Sequence, residues 1–426
     1  MIGTTTGALF ALLFLSLPVG TVLFLLAFGV DLFFSPFPLM RGMGQVLWTA
    51  SENFLLVAIP MFVLLGEILV RAGIAAKTYR ALDAWFSWLP GGLIHANIGT
   101  ATLFSATTGS SVATAATVAT VAMPQATALR YDPRLFSGAI AAGGTLGILI
   151  PPSINLIIYG FLTETSIPSL FLAGLVPGLA MALGFMVVTA ILCGLRPRLG
   201  GPSRGASWRL RLVSLADLLP IIFLFSMIIG SIYTGWATPT EAAGLGVAVA
   251  LLIAAANRAL SLSMLVGALL GTIRVTAMIL FVIFAAYALN FVLASAGLGR
   301  ALDAFLAGLG LDATLTLLAI MLMYVVLGFF IETLSLMVIT IPIVVPLIAD
   351  LGYDKVWFGV LLIVLIEMAL ITPPVGLNLY VVQGARRAGR LGDVMLGAIP
   401  YVLVMAAMAL LLVAVPEIAL FLPNWE

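Results

Sequence analysis

Charged residues are scarce in this sequence. Of its 426 residues, only 8% are Asp, Glu, Lys or Arg and 63% are hydrophobic, whereas a soluble domain carries about 25% charged residues. A soluble fold of this length could not cover its surface with polar groups. Continuous apolar runs at residues 9–34, 170–195 and 394–422 exceed the roughly 20 residues that a helix needs to cross a bilayer. The sequence therefore predicts an all-α polytopic membrane protein.

Residue types that carry chemistry in enzymes are equally scarce. The single cysteine, Cys193, and the single histidine, His95, exclude an internal disulfide and argue against a transition-metal site. No Gly-rich loop ending in Lys-Ser or Lys-Thr is present to hold a nucleotide. The net charge of +1 gives no basic footprint for nucleic acid. We therefore expect no catalytic residues and no cofactor, and we expect an ion gradient to supply the energy.

What the sequence does contain is an internal repeat. One pattern of Tyr-Asp, Phe and Pro-Pro occurs twice at a constant offset of 222 residues, as Tyr131-Asp132, Phe136 and Pro151-Pro152 and as Tyr353-Asp354, Phe358 and Pro373-Pro374. A second match, Arg-Ala-Leu-Asp-Ala, occurs at residues 80–84 and 300–304. A duplicated unit in an apolar chain is typical of a transporter built from two related halves, with its site at their junction.

The positions of the basic residues predict the orientation of the two copies. Basic clusters mark cytoplasmic loops, and the loop around Asp132 carries two arginines, whereas its counterpart carries Asp350, Asp354 and Lys355. Equivalent loops of opposite charge indicate repeats inserted in opposite directions. We expect a first inverted repeat at residues 1–195, a basic cytoplasmic loop at 196–216, and a second inverted repeat with an extra crossing at 217–426.

Each repeat is expected to contain a re-entrant hairpin and a broken transmembrane helix. The hairpins are predicted at about 91–129 and 313–351, with polar tips at 107–111 and 328–335; such backbone is tolerated at membrane depth only where protein or water surrounds it. Because proline lacks an amide donor and clashes with the preceding turn, the Pro-Pro pairs should break helices at about 134–163 and 355–384. We count roughly nine full crossings besides the hairpins.

Helix breaks at membrane depth predict ion and solute sites. A break frees carbonyl oxygens, which bind hard cations such as Na⁺, and amide groups, which favour anions. The first cation (Na⁺) site is predicted at Gly109, Ser110, Ser111, Gly147 and Pro151. The second is predicted at Gly328, Thr333, Thr372 and Pro373. The substrate is expected between the tips, at Ser110, Asn155, Glu332, Ser335 and Asn378.

Several of these residues also have purely structural interpretations. A Pro-Pro pair taken alone is a kink, and a serine in a membrane helix often bonds a preceding carbonyl. A packing role is favoured for His95, and helix capping is favoured for Glu241. Glu67 and Glu367 either pair with an arginine, snorkel to the interface or serve function, because carboxylates inside a membrane are functional candidates. Because each copy contains both a polar hairpin tip and a Pro-Pro helix break, a functional role for the breaks is favoured over a purely structural kink.

Four stretches of the chain resemble the large membrane subunit of tripartite ATP-independent periplasmic (TRAP) transporters. They are Gly109-Ser-Ser-Val-Ala-Thr114, Gly144-Thr-Leu-Gly-Ile-Leu-Ile-Pro-Pro-Ser153, Thr238-Pro-Thr-Glu-Ala-Ala243 and Ile371-Thr-Pro-Pro-Val-Gly376. The resemblance runs essentially end to end. One departure is Thr114, where the family often has Asp, and it weakens any role for a carboxylate there.

The resemblance implies a partner set and a mechanism. It implies a multi-pass protein of the bacterial inner membrane, surrounded by membrane lipid. Its partners would be a separate small four-helix membrane subunit and a periplasmic substrate-binding protein. It also implies Na⁺-coupled uptake of a small organic acid, C4-dicarboxylates among them, by an elevator movement. The alternatives are a stand-alone Na⁺- or H⁺-coupled dicarboxylate or citrate carrier and, far behind, an intramembrane enzyme.

The inverted arrangement predicts a labelling pattern. In a variant without Cys193, single cysteines introduced as Arg134→Cys and Lys355→Cys are expected to react with an impermeant thiol reagent from opposite sides of the membrane, because equivalent loops of inverted repeats lie on opposite faces. Labelling of right-side-out and inverted vesicles measures this. Reaction of both cysteines from the same side of the membrane would contradict the predicted inverted arrangement of the repeats.

Overall fold

The computed structural model describes residues 2–15, 17–108, 110–202, 205–297 and 312–425. The predicted site residue Gly109, the repeated motif at residues 300–304 and residues 203–204 of the predicted basic loop lie outside the described residues. The described part of the chain is helical and contains no β-strand. Its α-helices, α1 to α19 in chain order, are Ile2–Phe14, Val19–Phe34, Leu39–Ser51, Ala58–Arg71, Ile74–Phe86, Gly92–Thr108, Ser111–Ala128, Pro133–Leu149, Ile154–Thr163, Ile167–Leu195, Trp208–Tyr233, Pro239–Ala256, Leu262–Ser295, Ala313–Gly328, Thr333–Asp350, Lys355–Ala369, Leu377–Arg386, Leu391–Ala414 and Glu417–Leu420.

Seven of the described helical segments are long and apolar enough to cross a membrane, or up to eight if the bent pair α8 and α9 counts as one span. Those two helices meet at 41° across the first Pro-Pro pair. The sequence suggested roughly nine crossings besides the hairpins. The difference arises partly because the apolar helix Val19–Phe34 is shorter than 18 residues. The all-helical membrane fold is confirmed.

The repeated aspartates start the two broken helices. The Asp132 carboxylate accepts hydrogen bonds from the amides of Arg134 (2.9 Å) and Leu135 (3.1 Å) at the start of α8. Its counterpart Asp354 accepts one from the amide of Trp357 (2.9 Å) at the start of α16. Aspartate at this position satisfies amides that have no partner within the helix. The duplicated Tyr-Asp pattern is therefore partly a helix-start signal.

Helix α8 lies at the centre of the protein and packs most closely on α18. All of its residues from Leu135 to Leu149 are buried. A Cβ atom placed on Gly138 would lie 2.0 Å from the carbonyl carbon of Gly397, and one placed on Gly397 would lie 1.9 Å from the carbonyl oxygen of Arg134. Small residues let membrane helices approach this closely, so that van der Waals packing can hold them together.

Each hairpin packs on the broken helix that belongs to the other half of the chain. Here the first hairpin is α6 and α7, the second hairpin is α14 and α15, the first broken helix is α8 and α9, and the second is α16 and α17. The second arm of the first hairpin, α7, packs on α17 of the second broken helix. Reciprocally, α15 of the second hairpin packs on α9 of the first broken helix. Each hairpin therefore contacts the break region of the other repeat.

A second group of helices packs beside the hairpins. Helices α2, α3 and α4 contact α13, and α4 also contacts α12. Glu67 and Arg71 of α4 form an ion pair (3.0 Å) beside Gly271 and Gly267 of α13. This group, which we call the framework, meets the hairpins mainly where α13 contacts α15, α4 contacts α6, and α2 contacts α15.

The close crossing of α8 and α18 predicts a stability effect. Gly397→Ala is expected to lower the free energy of unfolding by about 1–3 kcal/mol, because the added carbon overlaps the backbone of α8. The control is Gly392→Ala in the same helix, where nothing lies within 4 Å of the added carbon. Thermal unfolding midpoints of the purified proteins measure both. Equal midpoints for the two variants would contradict the packing argument.

Candidate functional site between the hairpin tips

One cavity brings the two hairpin tips together. It has a volume of about 510 Å³ and lies between the framework and the hairpins, since Gly20 of α2 and Phe281 of α13 line it opposite the tips. The first tip contributes Ser110 and Ser111, and the second contributes the run from Glu332 to Ser335. The cavity also reaches residues that flank both helix breaks, which are Ile148, Ile154, Leu370 and Leu377.

Equivalent residues start the second helix of each hairpin. The Ser110 hydroxyl accepts a hydrogen bond from the amide of Ala113 (3.3 Å). The Glu332 carboxylate accepts bonds from the amide and the hydroxyl of Ser335 (3.2 Å each). Residues 110 and 332 stand at the same 222-residue offset as the repeated motifs. Both caps place a helix N-terminus, with its partial positive charge, at the edge of the cavity.

A buried carboxylate that does not line the cavity forms hydrogen bonds with residues of both tips. Glu367 of α16 is 1% exposed, and its Oε1 accepts hydrogen bonds from the Ser111 hydroxyl (3.5 Å) and the Thr333 hydroxyl (3.4 Å). Its Oε2 is buried and has no hydrogen-bond partner. In the part of the chain that the structure describes, three ion pairs occur and none involves Glu367.

Of the structural alternatives for the two carboxylates, pairing with arginine holds for Glu67 and not for Glu367. Glu367 lies inside the protein rather than at the membrane surface, so snorkelling is also wrong for it. One usable signal is present in the sequence, a glutamate six residues before the second Pro-Pro pair inside an apolar helix. That signal could not distinguish a contact with both tips from a pair with arginine.

The oxygen atoms at the tips suit a hard cation such as Na⁺. Hydroxyl, carbonyl and carboxylate oxygens are the ligands that such cations prefer. The unpartnered Oε2 of Glu367 lies in a site that lacks a described basic side chain, and a buried carboxylate is costly without a positive charge near it. The hydroxyl oxygens of Ser110, Ser111 and Thr333 could hold such a cation, with the carboxylate of Glu367 beside two of them.

The cavity brings together some of the sequence-predicted residues. Six of them line it, namely Ser110, Ser111, Asn155, Glu332, Thr333 and Ser335. The side-chain nitrogen of Asn155 is buried without a hydrogen-bond partner, so it is a donor available to an anionic group. The cavity therefore holds acceptors for cations and a donor for an anion within one space.

Other predicted site residues lie away from this cavity. Asn378 is fully buried, and its side-chain nitrogen donates to the Ala141 carbonyl (3.3 Å). The Thr372 hydroxyl donates to the Met368 carbonyl (2.6 Å). Gly328 packs against Ala369, since a Cβ atom placed on it would lie 2.6 Å from that of Ala369. These residues shape the second break and the hairpin rather than the wall of the cavity.

The two breaks differ in exposure. Pro151 and the neighbouring Gly147 are buried in the protein, whereas Pro373 is exposed. Pro373 lines a surface depression together with Arg134, Arg390 and Asp393. Both Pro-Pro pairs are joined by a cis peptide bond. The sequence predicts two similar pockets, and in this structure only the surroundings of the second break reach the surface.

The remaining polar candidates have structural roles. The Glu241 carboxylate accepts bonds from the Thr238 amide and hydroxyl (2.8 Å each), and the Glu241 amide donates to that hydroxyl (3.3 Å); this capping box confirms the capping interpretation. His95 is 1% exposed and its Nε2 lies 2.9 Å from the Pro90 carbonyl oxygen. Packing and capping account for both residues.

Comparisons with known proteins show which family the chain belongs to. The family model "Tripartite ATP-independent periplasmic transporter, DctM component" matches residues 6–418. The chain is 34% identical over 395 residues to the C4-dicarboxylate TRAP transporter large permease protein DctM of Pseudomonas aeruginosa, covering 92% of each chain. It is 31% identical over 430 residues to the sialic acid TRAP transporter large permease protein SiaM of Vibrio cholerae, covering 100% of this chain and 98% of the relative.

This chain belongs to the DctM family of TRAP transporter large permease subunits. It is accordingly a multi-pass protein of the inner membrane. Membership implies, in general, a small membrane subunit and a periplasmic binding protein as partners. The fold is also similar to the crystal structure of the Alcanivorax borkumensis YdaH transporter, with a TM-score of 0.60, 16% identity and 89% coverage of each chain.

The position of the cavity in this DctM-family subunit predicts water access. In a variant without Cys193, Met278→Cys is expected to react with a charged, water-soluble thiol reagent, because Met278 lines the cavity and is 53% exposed. The control Met405→Cys lies at a fully buried position and should stay unreactive. Mass spectrometry of the purified protein measures both. Modification of Met278→Cys by a lipid-soluble reagent alone would indicate a lipid-filled space.

Proposed function

We propose that this chain is the membrane carrier of a Na⁺-coupled uptake system for a small organic acid. The observation that supports the proposal most directly is the single cavity at which the tips of both hairpins meet. Its oxygen-rich tips suit cations, and its helix N-termini and the free nitrogen of Asn155 suit a carboxylate. The related permeases are named for C4-dicarboxylates, sialic acid and 2,3-diketo-L-gulonate.

Charge balance gives the physical reason for coupling. Glu332 lines the cavity and Glu367 lies behind its tips, and the described lining residues include no Lys, Arg or His. Two like charges 4 Å apart repel by about 4 kcal/mol at an effective dielectric constant near 20. A carboxylated solute therefore enters with difficulty until positive charge is bound. Cations at the tips supply that charge, so solute binding depends on Na⁺.

The two walls of the cavity suit an elevator movement. One wall comes from the framework helices α2 and α13, and the other from the hairpins and broken helices. A solute held at the tips would travel with the hairpin side while α13 stays in place. Large apolar side chains, including Phe281 and Met278 on α13, form a surface along which that side could slide.

A periplasmic binding protein and a small membrane subunit are the expected partners. We infer that the binding protein delivers the solute, because this is the general arrangement of the family. A stand-alone carrier is the competing possibility within transporters. The two differ in one observable: a stand-alone carrier moves solute without any soluble protein in the assay.

Reconstitution tests the proposal. The chain and its small membrane subunit are placed in lipid vesicles, with an inward Na⁺ gradient and binding protein loaded with labelled solute outside. Accumulation of solute is expected with Na⁺, and little is expected when K⁺ replaces Na⁺ at constant ionic strength, because K⁺ is too large to substitute for Na⁺ at sites built for the smaller ion.

Two controls make the assay decisive. Omission of the binding protein should abolish uptake, and uptake that persists without it would favour the stand-alone carrier. Dissipation of the Na⁺ gradient with an ionophore should stop accumulation. Equal uptake in Na⁺ and K⁺ would overturn the proposed coupling.

A further inference from the structure

One carboxylate serves both hairpin tips. The same oxygen of Glu367, Oε1, accepts the Ser111 hydroxyl and the Thr333 hydroxyl, at 3.5 and 3.4 Å. Ser111 begins α7 in the first repeat and Thr333 begins α15 in the second. These two residues stand 222 positions apart and are therefore equivalent in the duplicated pattern. Glu367 thus contacts two equivalent positions, one in each repeat.

The carboxylate itself is not duplicated. The position equivalent to Glu367 in the first repeat is Thr145. Its hydroxyl donates to the Ala142 carbonyl within its own helix (2.7 Å) and lies 3.7 Å from the Met405 sulfur. A pseudo-symmetric pair of tips therefore shares one asymmetric charge. Two independent cation sites would have no reason to converge on a single acidic side chain.

We propose that Glu367 is a shared positioning residue for both cation sites. A hydroxyl has one hydrogen and two lone pairs. Because Glu367 accepts the hydrogens of Ser111 and Thr333, the lone pairs of both oxygens are free for cations on the side of the cavity. Glu367 does not line the cavity, so it acts through these two hydroxyls. The inference rests on the proposed Na⁺ coupling and deepens it.

Charge gives Glu367 its second role. The predicted ligands at the tips are neutral hydroxyl and carbonyl groups, and the N-termini of α7 and α15 disfavour a cation through their partial positive charge. Glu332 is the other carboxylate at the tips, and its Oε2 is already committed to the Ser335 amide and hydroxyl. The Oε2 of Glu367 has no hydrogen-bond partner, so the negative charge of an ionised Glu367 would not be offset by any other described group and would act on cations at either site.

The variant Glu367→Gln separates charge from packing, because glutamine keeps the size and an acceptor oxygen but loses the charge. The full chain, purified with its small membrane subunit, is heated in NaCl and KCl mixtures at constant ionic strength. The Na⁺ concentration that gives half of the maximal thermal stabilisation is expected to rise at least about tenfold, since a full charge directly behind the ligands is lost.

The unfolding midpoint without Na⁺ distinguishes positioning from a structural role. It is expected to stay the same or rise in Glu367→Gln, because a buried carboxylate without a basic partner is removed. A merely structural role would lower that midpoint and leave the Na⁺ concentration for half-stabilisation unchanged. The matched control is Glu67→Gln, which removes a carboxylate paired with Arg71 outside the cavity and should leave the Na⁺ response unchanged.

Single-site backgrounds test whether both sites depend on Glu367. Ser111→Ala is expected to weaken the first site and Thr333→Val the second. Adding Glu367→Gln to either background should weaken the Na⁺ response that remains. If Glu367→Gln weakens the Na⁺ response in only one of the two backgrounds, Glu367 serves one site and the shared role is overturned.

Failure of the inference and failure of the proposed function have different signatures. If the unaltered protein shows no stabilisation by Na⁺ over K⁺, the Na⁺ coupling itself is wrong. If the unaltered protein responds to Na⁺ and Glu367→Gln responds with the same half-stabilising concentration, the coupling stands and the role of Glu367 is overturned.

Discussion

The rest of this structure depends on one constraint, which is that a helix interrupted inside a membrane must have its free backbone groups satisfied by protein or water. The chain encloses the first of its two helix breaks, whereas the second reaches the surface. The first Pro-Pro pair is wholly buried among α8, α9 and α10, and the hairpin tips face one cavity. Interrupted backbone, caps and hydroxyls are therefore concentrated around one cavity, which creates the site.

Close helix packing and the site are physically linked. Gly138 and Gly397 let α8 and α18 approach so closely that α8 is buried along its length. The same helix ends at the first break, beside residues that reach the cavity. A rigid, buried α8 fixes where that break lies. The hairpin arms are held in turn by the broken helix of the other repeat, so the positions of the two tips depend on each other.

The charge of the site is concentrated in two acidic residues with different tasks. Glu332 caps α15 and lines the cavity, and Glu367 lies behind the tips and joins them. Under the proposed function, this division would explain how a site for an anionic solute can be acidic. The acids would attract cations, the cations would cancel their charge, and the solute would then meet helix N-termini and amide donors.

The sequence by itself determined the membrane class and the positions of the helix breaks, because apolar length and proline chemistry are local signals. It also contains motifs that recur at a constant 222-residue offset, from which two repeats are predicted. It also identified the polar residues that line the cavity, such as Ser111 and Thr333, since polar residues stand out in apolar helices. Only the tertiary structure decided that Glu367 joins both tips, that Asn378 faces a helix backbone and that the two breaks differ in exposure. The contacts of Glu367 with Ser111 and of Asn378 with Ala141 join residues that are 256 and 237 positions apart along the chain. The exposure of each break depends on what packs over it. No local pattern in the sequence encodes them.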